Sequence, residues 1–355
     1  MALGSGSAHS AGAGMAKNLA EQFVLGVDPF NTEMLWETIF RKGFWPLGGG
    51  PVIYGGMSGI DTAMWDIKAK ALGVPVYKLL GGKTNDNLRT YASQIQFGWG
   101  DAREALTTPE QYAEAALVAV GQGYDCVKID PVMFDKQGNT GATNLRQLLP
   151  PALLREYHDR LGAVREAVGP DVDIIIELHS YLSVANAIKL AEVWEEFECL
   201  FFEEPVHYNT PELHAMVAKN IKIPTAAGER IYTRWGYRPY FEQQVVSVIQ
   251  PDLGLVGGIT EGKKICDYAN TYDITVQVHA CSSPVATAAA LHLEAAIPNF
   301  MIHEHHTNAI KPYSIVICEE NYQPVNGRFA IPDVPGLGVT LNEEVLTEAT
   351  RIVVE

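Results

Sequence analysis

Three carboxylates in this chain follow short apolar runs at equal intervals. Ile174, Ile175 and Ile176 lead into Glu177, Leu200 to Phe202 lead into Glu203, and Pro224 to Gly228 lead into Glu229, so the acids stand 26 residues apart. A buried parallel strand, its loop and a covering helix need a stretch of this length. The spacing therefore predicts three successive strands with one acid at the same end of each. In parallel sheets and barrels that C-terminal edge is where sites are built. Converging carboxylates repel one another unless a cation lies between them, and hard oxygen donors suit Mg²⁺. Glu177, Glu203 and Glu229 are read as ligands of one Mg²⁺ ion.

Other reactive groups fall at the ends of neighbouring apolar runs. His279 and Asp252 follow candidate strands one step apart, and a carboxylate beside an imidazole fixes its tautomer and raises its basicity. His179 stands two residues beyond Glu177, Lys128 ends another run, and Glu304 lies in Ile302-His303-Glu304-His305-His306. Asp130 and Arg230, close to these positions, join Lys128 and Glu304 as expected substrate contacts. A cation, a His/Asp base, a second histidine, a lysine and an extra acid are what removal of a proton next to a carboxylate requires. The enediolate so formed carries two negative oxygens that must be neutralised. Alternation sends His303 and His305 to the face opposite Glu304, so they are read as structural. The Gly254, Gly257 and Gly258 cluster lacks the spacing of a dinucleotide fingerprint and reads as a tight turn or as a close backbone approach to the substrate.

The elements that must hold these groups alternate. Strands are predicted over 90–95, 124–129, 172–178, 199–203, 223–228, 245–249, 274–279 and 300–303, with helices over 109–120, 153–168, 184–197, 212–219, 260–271 and 284–296. Eight strands alternating with helices predict an α/β fold, a (β/α)₈ TIM-type barrel over 88–311. Residues 1–87 are expected to form a mostly helical capping segment: a flexible entry over 1–13, a helical stretch over 15–41, a Gly-rich loop over 42–56, and a helix opened by Ser58. Residues 312–355 are expected to fold back onto it, making a smaller α+β domain.

Composition limits the partners. The chain has 355 residues, 47% of them hydrophobic and 19% charged, with 42 acidic against 26 basic residues and a formal charge of −16. So acidic a surface repels nucleic acid and anionic lipid, which leaves a small-molecule substrate. Five scattered cysteines without a CxxC pair suggest reduced thiols in a cytoplasmic protein. No apolar run approaches a membrane span, and the start lacks the pattern of a secretory signal.

The segments GIDTAMWDIKAKALGVPVYKLLGG at 59–82, LFFEEP at 200–205, AAGER at 226–230 and IQPDLGLVGGIT at 249–260, together with the surroundings of Glu304, resemble the mandelate racemase branch of the enolase superfamily. Within it the acid-sugar dehydratases of the galactonate dehydratase type are most similar. The resemblance implies Glu177, Glu203 and Glu229 as Mg²⁺ ligands, His279 with Asp252 as the base, and His179 as the acid that helps a 3-hydroxyl leave. It also implies Glu304 as a hydrogen-bonding partner of the substrate carboxylate or enediolate, Lys128 as an electrostatic partner, and a homo-oligomer. Three departures stand out. Asp130 occupies the second position of a Lys-x-Lys pair whose second lysine is a base in the family. Glu177 replaces the usual Asp. The family's N-terminal strands have no counterpart before residue 15, so the capping domain is expected to be shortened. The expected activity is dehydration of an aldonate or aldarate to a 2-keto-3-deoxy acid. Epimerisation or cycloisomerisation on the same site, or a non-catalytic metal-binding relative, are the alternatives.

Overall fold

The computed structural model describes residues 9–101, 103–141, 144–281 and 283–354. Its N-terminal part is helical: α1 (His9–Leu19), a π-type turn (Ala20–Val24), α2 (Thr32–Lys42), α3 (Pro51–Leu72) and the single turn α4 (Val76–Leu79). No described residue before Asn87 forms a strand. Residues 1–8 of the expected flexible entry lie outside the described residues, while 9–13 belong to α1. The expected loop over 42–56 and the helix start at Ser58 are also corrected, because α3 begins at Pro51. Proline suits that first position, where its missing N–H would be unpaired anyway. Gly56 is carried within the helix because α1 passes close by; a Cβ there would lie 2.9 Å from the Ala16 amide nitrogen. Ser58 is buried in mid-helix, and its hydroxyl accepts from the Gly257 N–H at 3.0 Å.

The alternating region follows as β1 (Asn87–Ser93), α5 (Pro109–Gly121), β2 (Cys126–Ile129), α6 (Pro151–Val168), β3 (Asp173–Glu177), α7 (Val184–Trp194), β4 (Phe201–Glu203) and α8 (Pro211–Ala218). It continues as β5 (Thr225–Ala227), α9 (Thr233–Glu242), β6 (Val248–Ile249), α10 (Gly258–Asn270), β7 (Thr275–Val276), α11 (Pro284–Ala295) and β8 (His303–His306). Successive strands pair in parallel and β8 pairs with β1. A parallel bridge from Val276 to Phe300 joins β7 to the approach of β8, closing the barrel. The sequence missed α9, which carries Pro239 in its interior. The eighth strand also comes later than expected, so Glu304 lies within it rather than at its end. Helix starts follow the chain's own chemistry: Thr108 and Gln111 make a reciprocal capping box on α5, and Ser183 and Ser283 cap α7 and α11. Each such cap contributes about 1 kcal/mol.

Period-two alternation builds the interior. Tyr91, Cys126, Ile175, Phe201, Ala226, Val248 and Ile302 form one buried apolar cluster. Two residues further along their strands come Ser93, Lys128, Glu177, Glu203, Gly228, Gln250 and Glu304, so an apolar plug supports a polar floor. The other face of each strand packs against the helices in two larger clusters. The tail adds β9 (Arg328–Ala330), antiparallel to the start of β1, a strand the sequence did not suggest. As expected, it then returns to the N-terminal segment, where Gly336 exchanges backbone bonds with Val74 and Val76 at 3.1 and 3.0 Å and the Leu337 N–H donates to Asp66 at 2.8 Å. No helix among the described residues is long and apolar enough to cross a membrane.

Candidate active site

Glu177 and Glu203 end β3 and β4 and are register partners, but Glu203 pairs with Ala226 rather than with Glu229. Glu229 therefore stands three residues beyond that pairing, past the end of β5. Equal sequence spacing does not mean equal register here. Gly228 makes the extension possible: a Cβ on it would lie 2.4 Å from the Gln250 amide nitrogen, so only glycine lets β5 run this close to β6. The three glutamates each offer an oxygen within 4.8 Å of the others.

Glu177 curls back so that its Oε1 accepts from the Leu178 and His179 amides, at 2.9 and 2.7 Å. The backbone then turns left-handed at His179 and Ser180, with φ of +47° and +61°. His179 is thus placed by a turn and not by continued strand alternation. Its Nδ1 lies 2.7 Å from Asp130 Oδ2, and the ring of Tyr181 stacks on it at 5.8 Å. His279 Nδ1 lies 2.8 Å from Asp252 Oδ2, while its Nε2 is 3.1 Å from Glu229 and 4.0 Å from Glu304. Lys128 is fully buried, with Nζ 2.9 Å from Glu203, 2.9 Å from Glu304 and 3.4 Å from Glu177.

The two remaining expected substrate contacts are held by protein groups. Asp130 is buried, and its Oδ1 accepts from the Val132 N–H at 2.9 Å while Oδ2 meets His179. Arg230 bonds to Glu204 and lies 3.1 Å from Glu229, so its guanidinium anchors the third, extended carboxylate. Ser93, which the sequence did not single out, donates to Glu304 Oε1 at 2.6 Å. Its signal was present, since it lies two residues past the inward-facing Tyr91. His303 and His305 face away from the site, His303 bonding Glu294 and His305 bonding Tyr124, both at 2.6 Å. The glycine cluster makes the turn into α10, with positive φ at Gly257 and Gly258.

Among the described residues, seven carboxylates (Asp130, Glu177, Glu203, Glu204, Glu229, Asp252 and Glu304) share this network with two permanent cations, Lys128 and Arg230. Protonating both imidazoles would still leave excess negative charge. Burial and the facing Glu177 raise the Glu203 pKa well above its usual value. Burial would lower the His179 pKa, but Glu177 and Asp130 push it up to about 10. His279 is likewise raised, against burial, by Cys281, Glu229 and Glu304. A donor set of hard oxygens with uncompensated negative charge fits a divalent cation such as Mg²⁺, whose charge would relieve both the carboxylate repulsion and the pull on the imidazoles.

The family described as enolase C-terminal domain-like matches residues 111–345, and the mandelate racemase / muconate lactonizing enzyme N-terminal domain matches residues 2–81. D-galactonate dehydratase of Xanthomonas campestris pv. campestris is 32% identical over 334 residues, which cover 93% of this chain and 82% of that protein. That of Ralstonia pickettii is 32% identical over 335 residues, with the same coverage. A solved structure of an enolase superfamily member from Salmonella Typhimurium superposes with a TM-score of 0.96 at 51% identity, covering 99% of this chain and 90% of that one. The chain belongs to the enolase superfamily, in its mandelate racemase/muconate lactonizing branch. It is an enzyme of the hydro-lyase class, which sets aside the non-catalytic alternative.

Proposed function

We propose that this enzyme dehydrates a sugar acid, an aldonate or aldarate carrying hydroxyls at C2 and C3, to the 2-keto-3-deoxy acid. Glu177, Glu203 and Glu229 would hold Mg²⁺, which when bound supplies positive charge beside the substrate carboxylate. His279, fixed through Nδ1 by Asp252, takes the C2 proton at Nε2. The C–H electron pair becomes the C2–C3 double bond as the C3–O bond breaks. His179 gives its proton to the departing hydroxyl, which leaves as water, and the enol relaxes to the ketone. Lys128 would oppose by Coulomb attraction the negative charge that collects on the substrate carboxylate, and Glu304, when it carries a proton, would donate a hydrogen bond to it.

The supporting observation is that two imidazoles, each held by a buried carboxylate, flank a single triad of acids. Such an arrangement provides one group to remove a proton and another to deliver one. Epimerisation needs a base on each face of C2, and the position where the family carries its second basic lysine is Asp130, already engaged with His179. The test is incubation with a panel of aldonates and aldarates plus Mg²⁺, scored by 2-keto acid formation. Conversion of at least one member in D₂O, with deuterium in the product and none in recovered substrate, is expected. Failure to convert any member, or deuterium in recovered substrate of both configurations, would overturn the reading.

A further inference from the structure

We infer that Asp130 is a positioning residue: it decides which ring nitrogen of His179 carries a proton toward the protein and which is left for a ligand. Every polar atom of Asp130 is engaged. Its N–H donates to Gln96 Oε1 at 3.1 Å, its carbonyl accepts from the Tyr112 hydroxyl at 3.2 Å, Oδ1 accepts from the Val132 N–H at 2.9 Å, and Oδ2 faces His179 Nδ1 at 2.7 Å. A carboxylate so placed can only accept, so His179 Nδ1 must be the donor and Nε2 is the nitrogen left for the mouth. The ring needs such a hold because its backbone is costly. His179 and Ser180 both sit at positive φ without being glycine, a conformation that costs about 1–2 kcal/mol per residue. The Ser180 N–H to the Glu204 carbonyl at 2.8 Å and the stacked Tyr181 ring hold the turn from its other side.

The Val132 N–H makes the inference testable with an isosteric change. In Asp130→Asn the single amide oxygen is claimed by Val132, which also donates, so the amide NH₂ turns toward His179 and donates to Nδ1. The substitution therefore inverts the bond rather than weakening it. Two-dimensional ¹H–¹⁵N spectra of the histidine rings, recorded on the Mg²⁺-loaded protein and assigned with His179→Gln, read the change directly. In the parent protein Nδ1 is expected to be protonated, and in Asp130→Asn it is expected to be an unprotonated acceptor. On the proposed dehydration, kcat should fall at least about 100-fold with KM within about threefold. An unprotonated His179 Nδ1 in the parent protein would overturn the inference without any variant having to fold. An unchanged His179 spectrum in Asp130→Asn would overturn it too, even if activity were lost. The kinetic effect rests on His179 being the acid. An inverted spectrum with unchanged kcat would leave the positioning intact and remove His179 from the proposed mechanism.

Discussion

Among the described residues, Lys128 is the only ammonium in contact with three of the buried acids, touching Glu177, Glu203 and Glu304 within 3.4 Å. Replacing it with methionine keeps the bulk and strands those carboxylates together. Lys128→Met should cost about 3 kcal/mol in the metal-free protein, and Mg²⁺ should raise its melting temperature more than it raises that of the parent. For the parent, Mg²⁺ at a hundredfold excess over its dissociation constant stabilises by about 2.7 kcal/mol, roughly 4 °C for a chain of this length. Thermal melts with chelator and with Mg²⁺ check both, and a parent melting temperature indifferent to chelator would count against a cation in the triad. Their apolar leads made Glu177, Glu203 and Lys128 legible in the sequence as groups at strand ends, and each does lie two residues past a buried apolar neighbour. Glu229 was found for an incomplete reason. Its matching interval conceals a three-residue overshoot that depends on how closely β5 and β6 approach, which no single strand records. The Asp130–His179 bond was not legible, because His179 is aimed by a left-handed turn.

Among the elements, β7 is two residues long, yet the segment after it carries His279. Toward β6 the backbone ladder continues, the Gln277 and His279 N–H groups donating to the Ile249 and Pro251 carbonyls at 3.0 and 3.2 Å, while the alternate amides on either side of that histidine are taken by side chains. Glu294 Oε1 on α11 accepts from the Val278 N–H at 3.3 Å, and Glu304 Oε2 accepts from the Ala280 N–H at 3.0 Å. Glu294 is itself bonded to His303, both fully buried. His303→Leu would leave Glu294 without that partner, at a cost of about 2–3 kcal/mol, measurable by urea unfolding. Because Glu294 holds the Val278 amide, kcat should fall as well, whereas a purely local packing role for His303 would lower stability alone. The sequence located the eight strands but overestimated the length of β2 to β7. Gln277-Val278-His279 keeps strand-like backbone pairing toward β6 but on its other side the Val278 N–H goes to the Glu294 side chain, so the pattern extends past the two-sided ladder. It also missed α9, since Pro239 argues against a helix that surrounding packing nevertheless forms.

At the scale of the molecule, α2 and α3 are fastened to the loop and helix after β6. Trp36 donates to the Gly257 carbonyl at 2.8 Å, Asp61 accepts from the Thr260 N–H at 2.9 Å, and Trp65 donates to the Thr260 hydroxyl at 2.8 Å. Burial raises the Asp61 pKa to about 7 from 3.8. The folded state then binds more protons than the unfolded one between these values, so this group's contribution is full below about pH 4 and is lost as pH climbs through 7. Asp61→Asn keeps an acceptor for Thr260 without the charge. It should be more stable than the parent by about 2 kcal/mol at pH 8, with the difference shrinking toward pH 5, as denaturant melts at the two pH values would show.

The tail pairing has a consequence for biogenesis. Leu88 pairs with Phe329 and Tyr91 with Glu304, in each case more than 200 residues further along the chain. While the ribosome works through the intervening stretch, the nascent polypeptide carries β1 with one edge unsatisfied, a slow and aggregation-exposed route. Glu304, which receives bonds from Ser93 and Lys128, is among the last residues delivered to the barrel. Catalytic competence would then appear only at the final act of folding, after nearly all the rest of the polypeptide has emerged.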